Sequence, residues 1–139
     1  MASITVLLVD DYEPLRRLIS SMLEETDEVR IVGEASDGLE AVQKAEELQP
    51  DLIILDIGLP KLNGFEAARR ILRARPDSRI IFLSQDNSAD LVEEAFRLGA
   101  MGYVEKVNAG IDLLKMIKLA GQHTAASFHA PSRNKQERP

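Results

Sequence analysis

Hydrophobic residues fall along this chain in blocks, and two kinds of block alternate. Ile4-Thr5-Val6-Leu7-Leu8-Val9 is a β-branched run that reads as a strand, and Leu15, Leu18, Ile19, Met22 and Leu23 follow at helical spacing. Asp11 is placed to cap that helix, with Pro14 tolerated in its first turn. Residues 29–35 form a second, more polar strand. Asp37 and Glu40 then carry the spacing of a capping box, ahead of an apolar stripe of Ala41, Val42, Ala45 and Leu48 that Pro50 ends. The theme repeats three more times. Residues 51–56 form a strand and Phe65, Ala68, Ile71 and Leu72 a helix face, with Pro76 as the break. Residues 79–83 form a strand, followed by a helix with Ala89, Val92, Ala95 and Phe96 on one face and Gly99 as its stop. Residues 101–105 make a short last strand. Ile111, Leu114, Ile117 and Ala120 carry the last helix, which Gly121 ends.

Five strand–helix units predict an α/β fold with a parallel sheet covered on both faces. Strands one, three and four are nearly continuous apolar runs, as burial on both faces requires, while strands two and five are more polar and belong at the edges. Right-handed crossovers then favour the order 2-1-3-4-5, a flavodoxin-like (βα)5 three-layer sandwich. A purely sequential order would leave the Ile/Val/Leu-rich strand one at an edge. Residues 1–121 thus read as one domain. Residues 122–139 lack an apolar period, hold Arg133, Lys135 and Arg138 against Glu137, and read as a flexible tail or linker.

Composition narrows the function more than the fold. The 139 residues include no cysteine, which excludes disulfides, thiolate zinc sites and thiol catalysis. A net charge of −6 argues against nucleic-acid binding by the bulk surface, and no recognition helix follows the fifth unit. No apolar run is long enough to span a bilayer, and Met1-Ala2-Ser3 lacks the basic start of a signal peptide. No Walker or G-x-G-x-x-G pattern is present, and His123 and His129 read as solvated tail residues.

In an open parallel sheet, ligands bind beyond the carboxyl ends of the strands. There strand one delivers Asp10 and Asp11, strand three Asp56, strand four Ser84 and strand five Lys106. Taken singly, each has an ordinary reading: helix cap, turn former, turn signal, surface lysine. Taken together, they are three carboxylates in one crevice, flanked by a hydroxyl and an ammonium. Close carboxylates repel, and a hard cation such as Mg2+ relieves the repulsion. The set suits phosphoryl transfer, with Asp56 as an already ionised nucleophile.

The arrangement resembles the receiver domain of bacterial two-component response regulators, over roughly residues 4–121. The stretches that carry the likeness are Val6-Leu7-Leu8-Val9-Asp10-Asp11, the run from Asp51 through Asp56, Gly58, Pro60 and Lys61 to Gly64, then Ile81-Phe82-Leu83-Ser84, and Gly99-Ala100-Met101-Gly102-Tyr103-Val104-Glu105-Lys106. The likeness is strongest to the subfamily carrying a C-terminal helix-turn-helix output domain. It implies that Asp56 is the phosphoacceptor, fed by a histidine kinase, a phosphotransfer protein or a small phosphodonor. It implies that Asp10, Asp11, Asp56 and the backbone carbonyl of Gly58 hold Mg2+, and that Lys106 pairs with the phosphoryl group. Ser84 would be the switch hydroxyl and Tyr103 the aromatic switch, together remodelling the face made by helix four, strand five and helix five. A homodimer on phosphorylation and a cytoplasmic location are further expectations.

Three positions depart from the family pattern. Gln85 stands where a small residue is common, Val107 where Pro is common and Gly58 where Met is common. They bear on access to the phosphoryl group and its lifetime. A metal-dependent aspartyl phosphatase is disfavoured, because Asp10 and Asp11 are adjacent and Tyr12 stands where the second acid would be. An unphosphorylated pseudo-receiver scaffold is the other alternative, and the full set of polar groups argues against it.

Overall fold

In the computed structural model, which describes residues 3–121, the apolar runs become the strands of one parallel sheet. The strands are β1 (Ile4–Val9), β2 (Val29–Ala35), β3 (Leu52–Asp56), β4 (Ile80–Ser84) and β5 (Gly102–Glu105), and the sheet order is β2-β1-β3-β4-β5. The helices are α1 (Glu13–Leu23), α2 (Gly38–Leu48), α3 (Gly64–Ala74), α4 (Ala89–Leu98) and α5 (Ala109–Gly121), with a 3-10 turn at Lys106–Asn108 before the last. The polar strands two and five are the edges, and strand one is internal, as their compositions demand. The expected tail at 122–139 lies outside the described residues.

Because strand side chains alternate, each central strand feeds two cores. Leu7, Val9, Ile53, Leu55, Ile80 and Phe82 face one way and pack with Ala41, Ala45, Ala67, Ala68, Ile71 and Ala95 of α2, α3 and α4. Phe65 meets Phe82 edge-on there, with ring centroids 5.1 Å apart. Val6, Leu8, Leu52, Ile54, Ile81 and Leu83 face the other way, onto Ile19 and Leu23 of α1 and Ala109, Leu113 and Ile117 of α5. The β1–β2 pairing shifts register between Val6 and Leu7, so that Val6 pairs with Ile31 and Leu7 with Gly33.

Expectations on three helices, α1, α4 and α5, need correcting. Asp11 does not cap α1. The N-cap position is Tyr12, it makes no side-chain cap, and Asp11 is exposed. Pro14 lacks an N–H and starts the helix later than the acidic pair, and the Tyr12 N–H is taken instead by Asp10 Oδ1 at 2.9 Å. The α5 stripe holds only in part, since Ile117 is buried and Leu114 packs against the core as expected while Ile111 does not. Ala109, Leu113 and Ile117 are buried, while Ile111 is 64% exposed. Apolar residues cover most of the α5 surface, so spacing alone leaves its buried edge open. Leu18 on α1 and Phe96 on α4 are likewise exposed rather than packed.

The α2 start behaves as its spacing predicts, with one shift. Asp37 accepts the Glu40 N–H at 2.8 Å, but the Glu40 carboxylate accepts from Ser36 N–H at 2.9 Å instead of returning to Asp37. The Glu40 N–H holds the Asp37 carboxyl below its ordinary value; burial works against this, and the Lys61 ammonium, 3.5 Å away, adds to it. Asp37→Ala is expected to lower stability by about 1 kcal/mol at neutral pH, while Asp37→Asn keeps most of the cap. A depressed carboxyl contributes stability above its unfolded value, and that contribution is lost as pH falls through the folded value. Urea unfolding should therefore show the gap between parent and the Asn variant closing in acid.

Candidate functional site

Strand ends and tight loops build the site. β1 ends at Val9, and the next residue, Asp10, is fully buried with its N–H on the Ala35 carbonyl at 3.1 Å. β3 ends on Asp56, also buried, whose Oδ1 accepts the Gly58 N–H at 3.1 Å. The chain then folds closely back on itself. The Gly64 N–H reaches the Ile57 carbonyl at 2.8 Å, and a Cβ at Gly64 would stand 2.1 Å from the Asp56 carbonyl oxygen. Only glycine allows this approach at the start of α3. The loop is also held by α2, since the Gly38 N–H bonds the Pro60 carbonyl at 3.3 Å and a Cβ at Gly38 would meet the Leu62 carbonyl oxygen at 1.8 Å.

Lys106 follows β5 and reaches across the sheet. Its Nζ lies 2.9 Å from Asp10 Oδ2 and 3.1 Å from Asp56 Oδ2, so one ammonium serves two buried carboxylates. Burial raises the Asp56 carboxyl above its ordinary value, and the neighbouring Asp10 charge adds to the rise; Lys106 and the Gly58 N–H only partly offset it. Burial disfavours the charged form of Lys106, but its bond to Asp10 and the charges of both carboxylates prevail, and its value is raised. Asp11 completes the acidic group: Asp10, Asp11 and Asp56 each offer an oxygen within 4.8 Å of the others.

The residues fit a hard divalent cation. All the side-chain donors are carboxylate oxygens, and Asp10 Oδ2 is fully buried with no hydrogen bond beyond its ion pair with Lys106. Gly58 lies on the open side, where an added methyl would meet nothing within 4 Å.

The other two expected residues stand one step away. Ser84 is buried, and its Oγ accepts the Asp86 N–H at 3.0 Å. Tyr103 is half-buried, against the core beneath α2, α3 and α4, and its hydroxyl donates to the Asp86 carbonyl. One residue, Asp86, thus holds both side chains, and its Oδ1 also accepts the Ser88 N–H at the start of α4. Gln85 is exposed. Sequence reasoning missed Asp86, because it holds Ser84 and Tyr103 through its main-chain atoms, which no residue type announces. It also missed Arg16, whose Nη1 donates to the Asp10 carbonyl at 2.6 Å.

Residues 6–118, which include the buried acid on β3, the acidic pair after β1 and the lysine after β5, match the family model described as response regulator receiver domain. The chain belongs to the response regulator receiver family. This receiver is 36% identical over 116 residues to the nitrate/nitrite response regulator NarL of Escherichia coli (strain K12), covering 84% of this chain and 54% of that protein. It is 35% identical over 119 residues to the transcriptional regulatory protein LiaR of Bacillus subtilis (strain 168), covering 86% and 56%. The chain thus spans little more than half the length of these relatives, which are consistent with the subfamily that carries a C-terminal helix-turn-helix output domain. Among solved structures, it matches the response regulator domain of Thermotoga maritima CheB with a TM-score of 0.80 and 34% identity, over 88% of this chain and 98% of that one. A LuxR-family two-component response regulator from Aurantimonas sp. SI85-9A1 matches with a TM-score of 0.81 and 27% identity, over 98% and 99%. Receivers are signalling modules of two-component systems. Among the described residues, no helix is long and apolar enough to cross a membrane.

Proposed function

We propose that this receiver accepts a phosphoryl group on Asp56 from a histidine kinase or phosphotransfer protein in the cytoplasm. The observation that carries the reading is the pair of buried carboxylates, Asp10 and Asp56, sharing the single ammonium of Lys106 beside Asp11. An Asp56 carboxylate oxygen attacks phosphorus, an acyl phosphate bond forms, and the donor's bond to phosphorus breaks with its electron pair leaving on the donor. The attacking form is the carboxylate, which needs no general base. Lys106 faces the charge that gathers on the phosphoryl oxygens. Asp10, Asp11, Asp56 and the Gly58 carbonyl would hold Mg2+, which when bound neutralises phosphoryl charge as a Lewis acid.

Ser84 and Tyr103 are read as the switch. A phosphoryl group at Asp56 offers the Ser84 O–H a charged acceptor; turning toward it draws Ser84 Oγ away from the Asp86 N–H that it accepts, and frees the loop holding the Tyr103 hydroxyl. The face of α4, β5 and α5, where Phe96 and Leu119 are exposed, is the surface this would remodel into a homodimer contact.

The test is intact-mass measurement after acetyl phosphate and Mg2+. One phosphoryl group is expected, mapped to Asp56 by peptide analysis and absent when EDTA replaces the metal. No mass gain from acetyl phosphate, and none from a competent histidine kinase, would leave the binding-scaffold reading in its place. Sedimentation of the same samples, and of beryllofluoride-treated protein, reads the dimer; an unchanged monomer counts against it.

A further inference from the structure

Arg16 sits on α1, outside the acidic group, yet its side chain is only 15% exposed and one of its two side-chain contacts reaches the main chain of the site. Nη1 donates to the Asp10 main-chain carbonyl at 2.6 Å, and Nε donates to Glu34 Oε1 on β2 at 2.9 Å. Glu34 is in turn steadied by Lys44, which donates to its main-chain carbonyl at 2.6 Å and pairs with Glu40 at 3.2 Å. The Asp10 carbonyl lies just past the end of β1, where the strand ladder no longer supplies a partner. Its oxygen belongs to the Asp10–Asp11 peptide plane. With the Asp10 N–H on Ala35, Oδ1 on Tyr12 and Oδ2 beside Lys106, the grip of Arg16 fixes the remaining polar atom of Asp10. The same grip sets the direction in which Asp11 leaves.

We infer that Arg16, braced by Glu34, is a positioning residue that aims the Asp10–Asp11 pair for cation binding. The inference rests on the metal assignment proposed above. A planar guanidinium serves carbonyl and carboxylate at once from a fixed fork, which the point charge of lysine does not. The sign of the effect separates positioning from simple electrostatics. Arg16 is a positive charge near a cation site, so by charge alone its removal would tighten Mg2+ binding. Positioning requires the opposite.

The experiment is calorimetric titration of Mg2+ into the intact chain and its variants, with thermal melts confirming that each is folded. Arg16→Gln and Arg16→Lys are each expected to weaken Mg2+ binding about tenfold, the scale seen when groups that orient metal ligands are removed. Glu34→Ala, on an edge strand, should weaken it in the same direction, and Glu34→Gln, which keeps an acceptor for Nε, should restore the parent affinity. Arg16 variants that bind Mg2+ as tightly as the parent, or more tightly, overturn the inference. If Arg16→Gln fails to fold, the Glu34→Ala and Glu34→Gln pair decides: equal affinities overturn it. A parent that binds no Mg2+ overturns the metal assignment itself, and this inference with it.

Discussion

Asp56→Asn is expected to take up no phosphoryl group from acetyl phosphate and, in the absence of metal, to unfold at higher denaturant than the parent. Both outcomes come from one site. The amide is no nucleophile toward phosphorus at neutral pH, so the loss of phosphorylation should be complete. The gain in stability follows from the electrostatics. Burial, and then the nearby Asp10 charge, hold the Asp56 carboxyl above its ordinary value of 3.8. A group raised in this way contributes stability that is fully present below its unfolded value and is lost as pH rises through its folded value. At neutral pH the ionised side chain therefore works against the fold, and a neutral amide of the same shape removes that cost. Parent and variant should converge in acid below the unfolded value and separate as pH rises. Mg2+ should narrow the gap at neutral pH, because a cation bound by the native parent stabilises it by mass action. Urea titrations across pH, with and without Mg2+, read all three effects. A variant less stable than the parent at neutral pH in EDTA would contradict this account.

Lys106→Met should act in the opposite direction and more strongly. The substitution keeps the apolar stem and removes the ammonium that lies 2.9 Å from Asp10 and 3.1 Å from Asp56. Two buried carboxylates are then left facing each other with no counter-charge. Breaking a buried ion pair by removing one partner typically costs about 3 kcal/mol or more. The loss should shrink in acid, where the carboxylates take up protons, and at saturating Mg2+, where the cation substitutes for the missing charge. In the parent, the Lys106 value is raised, so its contribution is present through neutral pH and is lost only as pH rises through the folded value, above the ordinary 10.5. Combining the change with Asp56→Asn should recover part of the loss, because one of the two stranded charges is gone. A strictly additive double variant would show that Lys106 and Asp56 do not share an interaction.

How much of this was legible in the sequence depends on where the determining physics lies. The strands β1 and β2 were readable to the residue, because β-branched runs bounded by polar turns carry their own limits, and the contrast between apolar and polar strands was enough to order the sheet. The site residues were readable because the sheet order brings their strand ends to one edge. The start of α1 was not: Asp11 looks like a cap in isolation, and only the combination of Pro14 with the Asp10 carboxylate on the Tyr12 N–H moves the helix past it. The face of α5 was legible in part: Ile117 and Leu114 were readable as core-facing, but Ile111 and Leu113 are equally apolar and only docking separates the exposed one from the buried one. The role of Arg16 depends on the main-chain carbonyl of Asp10, and that of Asp86 on its own main-chain N–H and carbonyl, which a pattern of side chains does not reveal.

The strand order also sets a schedule. β1 pairs with β3, which brings Asp10 beside Asp56, whereas Lys106 arrives only after β5, the last strand of this sheet, is laid against β4. During synthesis the two acids thus emerge from the ribosome well before their ammonium partner. A nascent chain that closes the first three strands has to satisfy them with protons, water or a dissolved cation until the last strand docks.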